Sequence, residues 1–296
     1  MDAWPGSGIL SRVTHTTDVA STPLEQHAKP LFASVVCGID GSPASLEAAR
    51  QAALFAANGE LRLVSVTWTT GTGPTEMTAL AEPRARAALE AAAMAATQLG
   101  ASVGTELIRD PDPAGTLLRQ SSVADLTVVG THGGSRGAGI FLGSVASHLA
   151  HTARGPVLVA RRPPESRPFL SHLLLASDGS RGSSAATTLA GRIASRFGSS
   201  VTLLRVGTAP APAERRAVAV QSAELLDATG TRPTVLELEG KAPERIGETA
   251  REEQASLIVI GSRGLGGLKA LGSVSERVVH AAPCSVLVAR PIQEQD

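Results

Sequence analysis

Tyrosine is absent from this chain, and Phe and Trp together make up only 2% of its 296 residues. Proteins that grip nucleic acid stack bases on aromatics set among basic residues. With no basic stripe and so few rings, nucleic-acid binding is not expected. Charge of one sign is not in excess either: 27 Lys and Arg balance 27 Asp and Glu. Arg greatly outnumbers Lys, which with the Ala and Gly load reads as coding bias. Cysteine is scarce, and Cys37 and Cys284 lie far apart with no CxxC spacing. A disulfide scaffold is therefore not expected, and a reducing, cytoplasmic location is. The longest apolar runs have strand length, so no membrane span is expected. The first residues lack a basic start followed by an apolar stretch, so no secretory leader is expected.

Several catalytic signatures are missing as well. Neither Gly-rich loop reads Gly-x4-Gly-Lys-Ser/Thr, since Lys269 follows Leu268. Gly137-Ala-Gly139 meets Leu142 where a dinucleotide fingerprint needs its third glycine. No Cys–His pair supports covalent catalysis. His148 and His151 share a helix without the acidic partner of a zinc motif, and His132 is as readily explained by exposure as by a ligand. No catalytic residue and no protein metal ligand is assigned.

What is present is a repeat. Gly130-Thr-His-Gly133, nine residues, then Gly143-Ser144 is echoed by Gly261-Ser-Arg-Gly264, seven residues, then Gly272-Ser273. Each copy follows an apolar run and opens a helix-like run. Glycine permits close backbone approach, and a helix N-terminus offers free N–H groups and a positive dipole end, so such a loop can hold phosphate. Around it, residues 31–162 and 169–292 run through the same order of elements. Residues 1–30 are mixed polar and are expected to be disordered. The stretch Arg161–Pro168 has linker composition, with 163–168 assigned as the linker proper.

In half one the apolar strand Ala33–Ile39 ends at Asp40-Gly41-Ser42-Pro43, where Ser42 suits an N-cap and Pro43 the first helical position. Strands at Leu61–Val66, Val103–Ile108, Leu126–Val129 and Val157–Ala160 alternate with helices; Asn58-Gly59 and Gly100 read as stops. Half two repeats this from Leu173–Ser177 and Asp178-Gly179-Ser180 to Val286–Ala289. Alternation of this kind predicts βαβ units and parallel sheets covered on both faces by helices. The predicted class is α/β: two tandem Rossmann-like domains, each with five parallel strands in the order 3-2-1-4-5. A ligand then sits beyond the strand C-termini where the order reverses. That brings Asp40 beside the Gly130 loop, with Val66 nearby. Asp40 suits ribose hydroxyls, the Val66 backbone suits a base edge, and the amides of the loop and of Ser144-Val145 suit phosphates.

An apolar strand ending in Asp-Gly-Ser, then a fourth strand and Gly-x2-Gly-x9-Gly-Ser, resembles the universal stress protein family. The closing run Gly272-Ser-Val-Ser-Glu-Arg-Val-Val-His-Ala-Ala-Pro-Cys-Ser-Val-Leu-Val-Ala289 is especially similar. The resemblance covers nearly all of both halves. It implies a flavodoxin-like strand order, pairing through the last strand, a homodimer, and binding of ATP, with Mg, with little or no turnover. The nucleotide-binding positions it implies are Asp40, Val66, Gly130, Gly133, Gly143, Ser144 and Val145. In half two they are Asp178, Val206, Gly261, Gly264, Gly272, Ser273 and Val274. The implied output is stress regulation through nucleotide-dependent shape or partner choice. A slow ATP-hydrolysing enzyme and a structural module with inactive sites are the alternatives. Half two departs from the pattern because its loop is two residues shorter, so its site is expected to bind more weakly or not at all.

Overall fold

Two Asp-Gly-Ser turns set the start of each half. Gly41 and Gly179 adopt φ of +81° and +75°, a region that glycine enters without a Cβ penalty. Ser42 and Ser180 then cap the next helix, each side chain accepting from the N–H three residues on. The computed structural model describes residues 30–67, 81–131, 142–208, 211–262 and 271–290.

Half one contains β1 (Ser34–Gly38), α1 (Pro43–Phe55), β2 (Glu60–Thr67), α2 (Ala81–Thr97), β3 (Ser102–Arg109), α3 (Pro113–Ser121), β4 (Leu126–Gly130), α4 (Ser144–Thr152) and β5 (Val157–Ala160). Half two contains β6 (His172–Ala176), α5 (Arg181–Phe197), β7 (Ser200–Val206), α6 (Pro212–Thr229), β8 (Thr234–Leu238), α7 (Ala242–Glu252), β9 (Leu257–Gly261), α8 (Ser273–Ala281) and β10 (Ser285–Ala289). The sheet order is β3-β2-β1-β4-β5-β10-β9-β6-β7-β8. Each half has the predicted order 3-2-1-4-5 with parallel neighbours, and the two fuse into one ten-stranded sheet. At the seam β5 and β10 run antiparallel, with Leu158 opposite Leu287. An apolar edge strand invites a partner; here each half covers the edge of the other.

The central strands are buried along their length, as the unbroken Val/Leu/Ile runs require of a sheet covered on both faces. Helices α1, α2, α5 and α6 cover one face, and α3, α4, α7 and α8 the other. Both hydrophobic layers run across the seam without a break. Phe55 stands at the centre of one layer. Its ring meets Phe32, Phe169 and Phe197 edge-to-face at 5.9, 6.0 and 6.3 Å, so four of the five phenylalanines join the halves.

Two arginines cross the seam. Arg161 follows β5 and donates to the carbonyls of Val279 and His280 at the end of α8. Arg290 follows β10 and donates to Ala150 in α4 and to Gly155 just beyond it. A cation at a helix C-terminus meets orphan carbonyls and the negative dipole end. Burial pulls the Arg161 pKa down to about 10, still far above neutrality, so the group stays charged. Arg161 thus belongs to the seam, although composition alone grouped it with the linker. Its carbonyl also accepts from Gln51 of α1 and from Ser285 of β10.

Candidate functional site

The C-terminal ends of β1, β2 and β4 open onto a cleft of about 430 Å³ in half one. Its geometry follows from where each strand stops. In a parallel ladder, alternate residues direct their backbone groups to alternate neighbours. The Val64 carbonyl accepts from Ile39 N–H, and the Thr67 carbonyl accepts from Asp110 N–H on the β3 side. Val66 shares the parity of Val64, so its N–H and C=O point toward β1. By that level β1 has ended and Asp40 has turned away. Val66 therefore presents backbone groups at the cleft. Val206 is placed alike in half two: the Leu204 carbonyl accepts from Ser177, and Gly207 donates to Leu238 across the other edge.

Asp40 stands exposed at the mouth. One carboxylate oxygen accepts from Ser42 N–H at 2.9 Å, and its own N–H donates to Ser45 Oγ. The carboxylate thus both steadies the turn and faces the cleft. Asp178 repeats the turn, accepting from Ser180 N–H at 3.0 Å. There the turn is further held by a buried chain that half one lacks. Ser177 Oγ accepts from Gly179 N–H and donates to Gln221 of α6, whose amide nitrogen donates to Ser183.

Gly130 and Gly261 turn out to have a packing role. A Cβ on Gly130 would lie 2.7 Å from the Ala44 carbonyl carbon and 2.9 Å from Ser45 N; on Gly261 it would lie 2.5 Å from the Gly182 carbonyl. These glycines let the first turn of α1 or α5 lie directly on the strand end. The obstructing atoms are backbone and cannot rotate away. Gly130→Ala is expected to destabilise by about 1–3 kcal/mol, the range for overpacking, in urea unfolding monitored by circular dichroism. A stability loss too small to measure would show that α1 can shift freely.

Gly143 is the N-cap of α4 with φ −64° and ψ 155°, and Ser147 N–H makes the first helical bond to its carbonyl. The N–H groups of Ser144, Val145 and Ala146 precede that bond and have no intrahelical acceptor. All three residues line the cleft. Gly143 N–H itself donates to the Thr131 carbonyl, closing the base of the loop. Gly272 donates to Ser262 in the same way, so the shorter loop of half two springs from the same anchors. Ser273 and Val274 open α8 as Ser144 and Val145 open α4, and both are exposed. Gly133 and Gly264, together with His132, Arg136 and Arg263, lie outside the described residues.

The floor of the cleft is apolar: Gly38, Val64, Val129, Leu117 and Pro113, with Leu142 on the wall. Sequence reading missed this floor and missed Ser45 and Thr131. The Asp112-Pro113 helix start was a usable signal, since it places α3 over the same strand ends. Among the described residues lining the cleft, Asp40 carries the one ionisable side chain. A polyanion there would be met by backbone amides and hydroxyls. Among the described residues no group of three or more His, Cys, Asp or Glu could hold a metal ion.

Among the described residues, no histidine or cysteine lines the cleft. His151 faces Glu276 across the seam at 3.4 Å, while His148 is exposed. Cys37 and Cys284 are fully buried free thiols. Desolvation pushes the Cys284 thiol up to about 12 and Cys37 higher, the nearby Asp40 charge adding to the latter. A raised pKa keeps the group a neutral thiol, and the thiolate is the reactive form. Both cysteines should resist an aromatic disulfide reagent at about pH 8 in the native protein and react once it is unfolded. Rapid labelling of native protein would contradict this placement.

Comparison with known proteins accords with this architecture. A profile of the universal stress protein family matches residues 32–161 and again 170–290. A universal stress protein of Mycolicibacterium smegmatis is 31% identical over 291 residues, covering 87% of this chain and 97% of that protein. One from Mycobacterium tuberculosis is 31% identical over 287 residues, covering 86% and 96%. Among solved structures, a universal stress protein from Archaeoglobus fulgidus shares the fold with a TM-score of 0.70 at 21% identity, covering 88% of this chain and 98% of that one. No helix among the described residues is long and apolar enough to cross a membrane. With a family match in each half, the chain belongs to the universal stress protein family as a tandem member.

Proposed function

We propose that this protein binds an adenine nucleotide, ATP with Mg, in the cleft of half one and acts as a stress-response regulator. One observation carries the reading. The Asp40 carboxylate, the Val66 backbone and the first turn of α4 converge on one apolar-floored cleft. Its volume of about 430 Å³ suits a small ligand, since such sites span roughly 300–1,000 Å³. The apolar floor would take the base, Val66 its polar edge, Asp40 the ribose, and the amides of Ser144 and Val145 the phosphates. Mg would be held by phosphate oxygens and water, in keeping with its reluctance to shed its hydration shell.

The lining favours binding over turnover. Hydrolysis needs a base or water-positioning group near the terminal phosphate, with charge stabilisation. The carboxylate of Asp40 is engaged by Ser42 N–H and sits at the ribose end of the proposed pose. Binding alone can regulate, because ATP stabilises whichever conformation or assembly holds it better. Gly133 and the rest of the loop belong to this proposal as further phosphate contacts. A homodimer of whole chains, in the cytoplasm, also belongs to it. Such a dimer would use a surface other than the β5–β10 seam, which is occupied within the chain.

Calorimetric titration with ATP and Mg tests the reading. Asp40→Ala is expected to weaken binding by about 1–3 kcal/mol, the scale for losing a buried polar partner. Gly143→Val is expected to abolish it. The Gly143 backbone lies in a region valine tolerates, so the loss would reflect the added side chain and not strain. Unchanged affinity in both variants contradicts the site. Multiple turnover on the order of 1 per second or faster, abolished by Asp40→Ala, would make the protein an enzyme instead.

A further inference from the structure

Half two differs from half one most at the floor of its cleft. In β2-β1-β4, Gly38 pairs with Val64 on one side and is level with Val129 on the other. In β7-β6-β9 the same rungs hold Ala176, Leu204 and Ile260. Residues level with one another in parallel strands point to the same face. Each of the three positions therefore gains one carbon in half two, all on the face that forms the floor. Leu204 is 1% exposed, and Ala176 and Ile260 are 6% exposed.

The wall follows the floor. Leu142, just before the N-cap of α4, is half-buried and lines the cleft of half one. Its counterpart Leu271, just before the N-cap of α8, is 2% exposed and joins the core layer with Ala176, Ile246 and Ile260. The shorter loop of half two shares its anchors with half one, so the difference falls on Leu271. At the rim the change runs the other way, with Ala242 for Pro113 and Ser262 for Thr131.

We infer that Ala176, Leu204, Ile260 and Leu271 plug the second cleft, so that it does not take the ring seated in half one and each chain binds one nucleotide. The inference rests on the proposed nucleotide binding in half one. A flat ring needs a slot between two apolar walls. Carbons added to the floor, with Leu271 drawn into the core, take up the room that a flat ring needs. The phosphate end, with its N-cap glycine and first-turn amides, is preserved in half two. Selectivity then lies at the base end of the cleft.

ATP titration of the full chain tests this, with melting curves to confirm folding. The wild type should bind one ATP. The opened variant, Ala176→Gly, Leu204→Val and Ile260→Val with Leu271→Ala, should bind two. The reciprocal change Gly38→Ala, Val64→Leu and Val129→Ile should lose at least tenfold in affinity at the first site. If the opened variant does not fold, the reciprocal variant alone decides, and unchanged affinity there overturns the plug. Two equal sites in the wild type would overturn the plug and leave the nucleotide reading standing. No ATP bound by the wild type would instead remove the nucleotide reading, and the plug with it.

Discussion

Leu158→Glu is expected to cost at least about 4 kcal/mol, in the tail of measured single substitutions that marks a specific buried failure. Leu158 is fully buried on β5, directly opposite Leu287 across the antiparallel seam. It packs in one apolar core layer beside Val128 and Leu287, so a carboxylate there must either ionise among apolar groups or fold protonated. Both routes destabilise. The damage falls where the halves join, so unfolding should split into two transitions as the shared core layers separate. Chemical unfolding followed by circular dichroism and by tryptophan-independent hydrogen exchange checks this. Val220→Glu is the control: Val220 is 51% exposed on α6, so its change should stay within about 0.5 kcal/mol. Equal effects of the two variants would contradict the seam.

Phe55→Ala is expected to cost about 3–5 kcal/mol, the range for truncating a buried aromatic. Its ring is fully buried and makes three edge-to-face contacts, two of them with Phe169 and Phe197 of the other half. Each such pair contributes about 0.5–1.5 kcal/mol beyond area burial. The Phe55→Ala, Phe197→Ala pair should therefore be non-additive by a similar amount in a double-mutant cycle. Strict additivity, or a loss below about 1 kcal/mol for Phe55→Ala, would mean that the halves fold as independent units.

Much of the fold was legible because local signals and the repeat agreed. Pro113–Ser121 starts where Asp112 caps and Pro113 presets φ, and α4 starts at Ser144 after a glycine. Strand bounds shifted by a residue or so, since a ladder ends where its neighbour does and not where the apolar run does. The lining of the candidate cleft was legible to the level of Asp40, Val66 and Gly143, because a strand end and a helix start are both encoded locally. What a single chain pass could not supply was anything set by neighbours distant in sequence. Gly130 reads as a loop glycine, and its packing against the first turn of α1 shows only in the folded chain. The crossed arginines have a sequence trace, Ala-Arg after each last strand, but their targets depend on the antiparallel seam. The floor of half two differs by single carbons at Ala176, Leu204 and Ile260, and only the register shows that they share one level.

The central claim is that half one holds a nucleotide between Asp40, Val66 and the start of α4. Hydrogen exchange with and without saturating ATP and Mg tests it most directly. Slower exchange is expected in peptides spanning residues 38–46, 64–67 and 142–149, with their counterparts in half two unchanged. ATP bound with no protection in those three segments, or with protection confined to half two, would contradict the account.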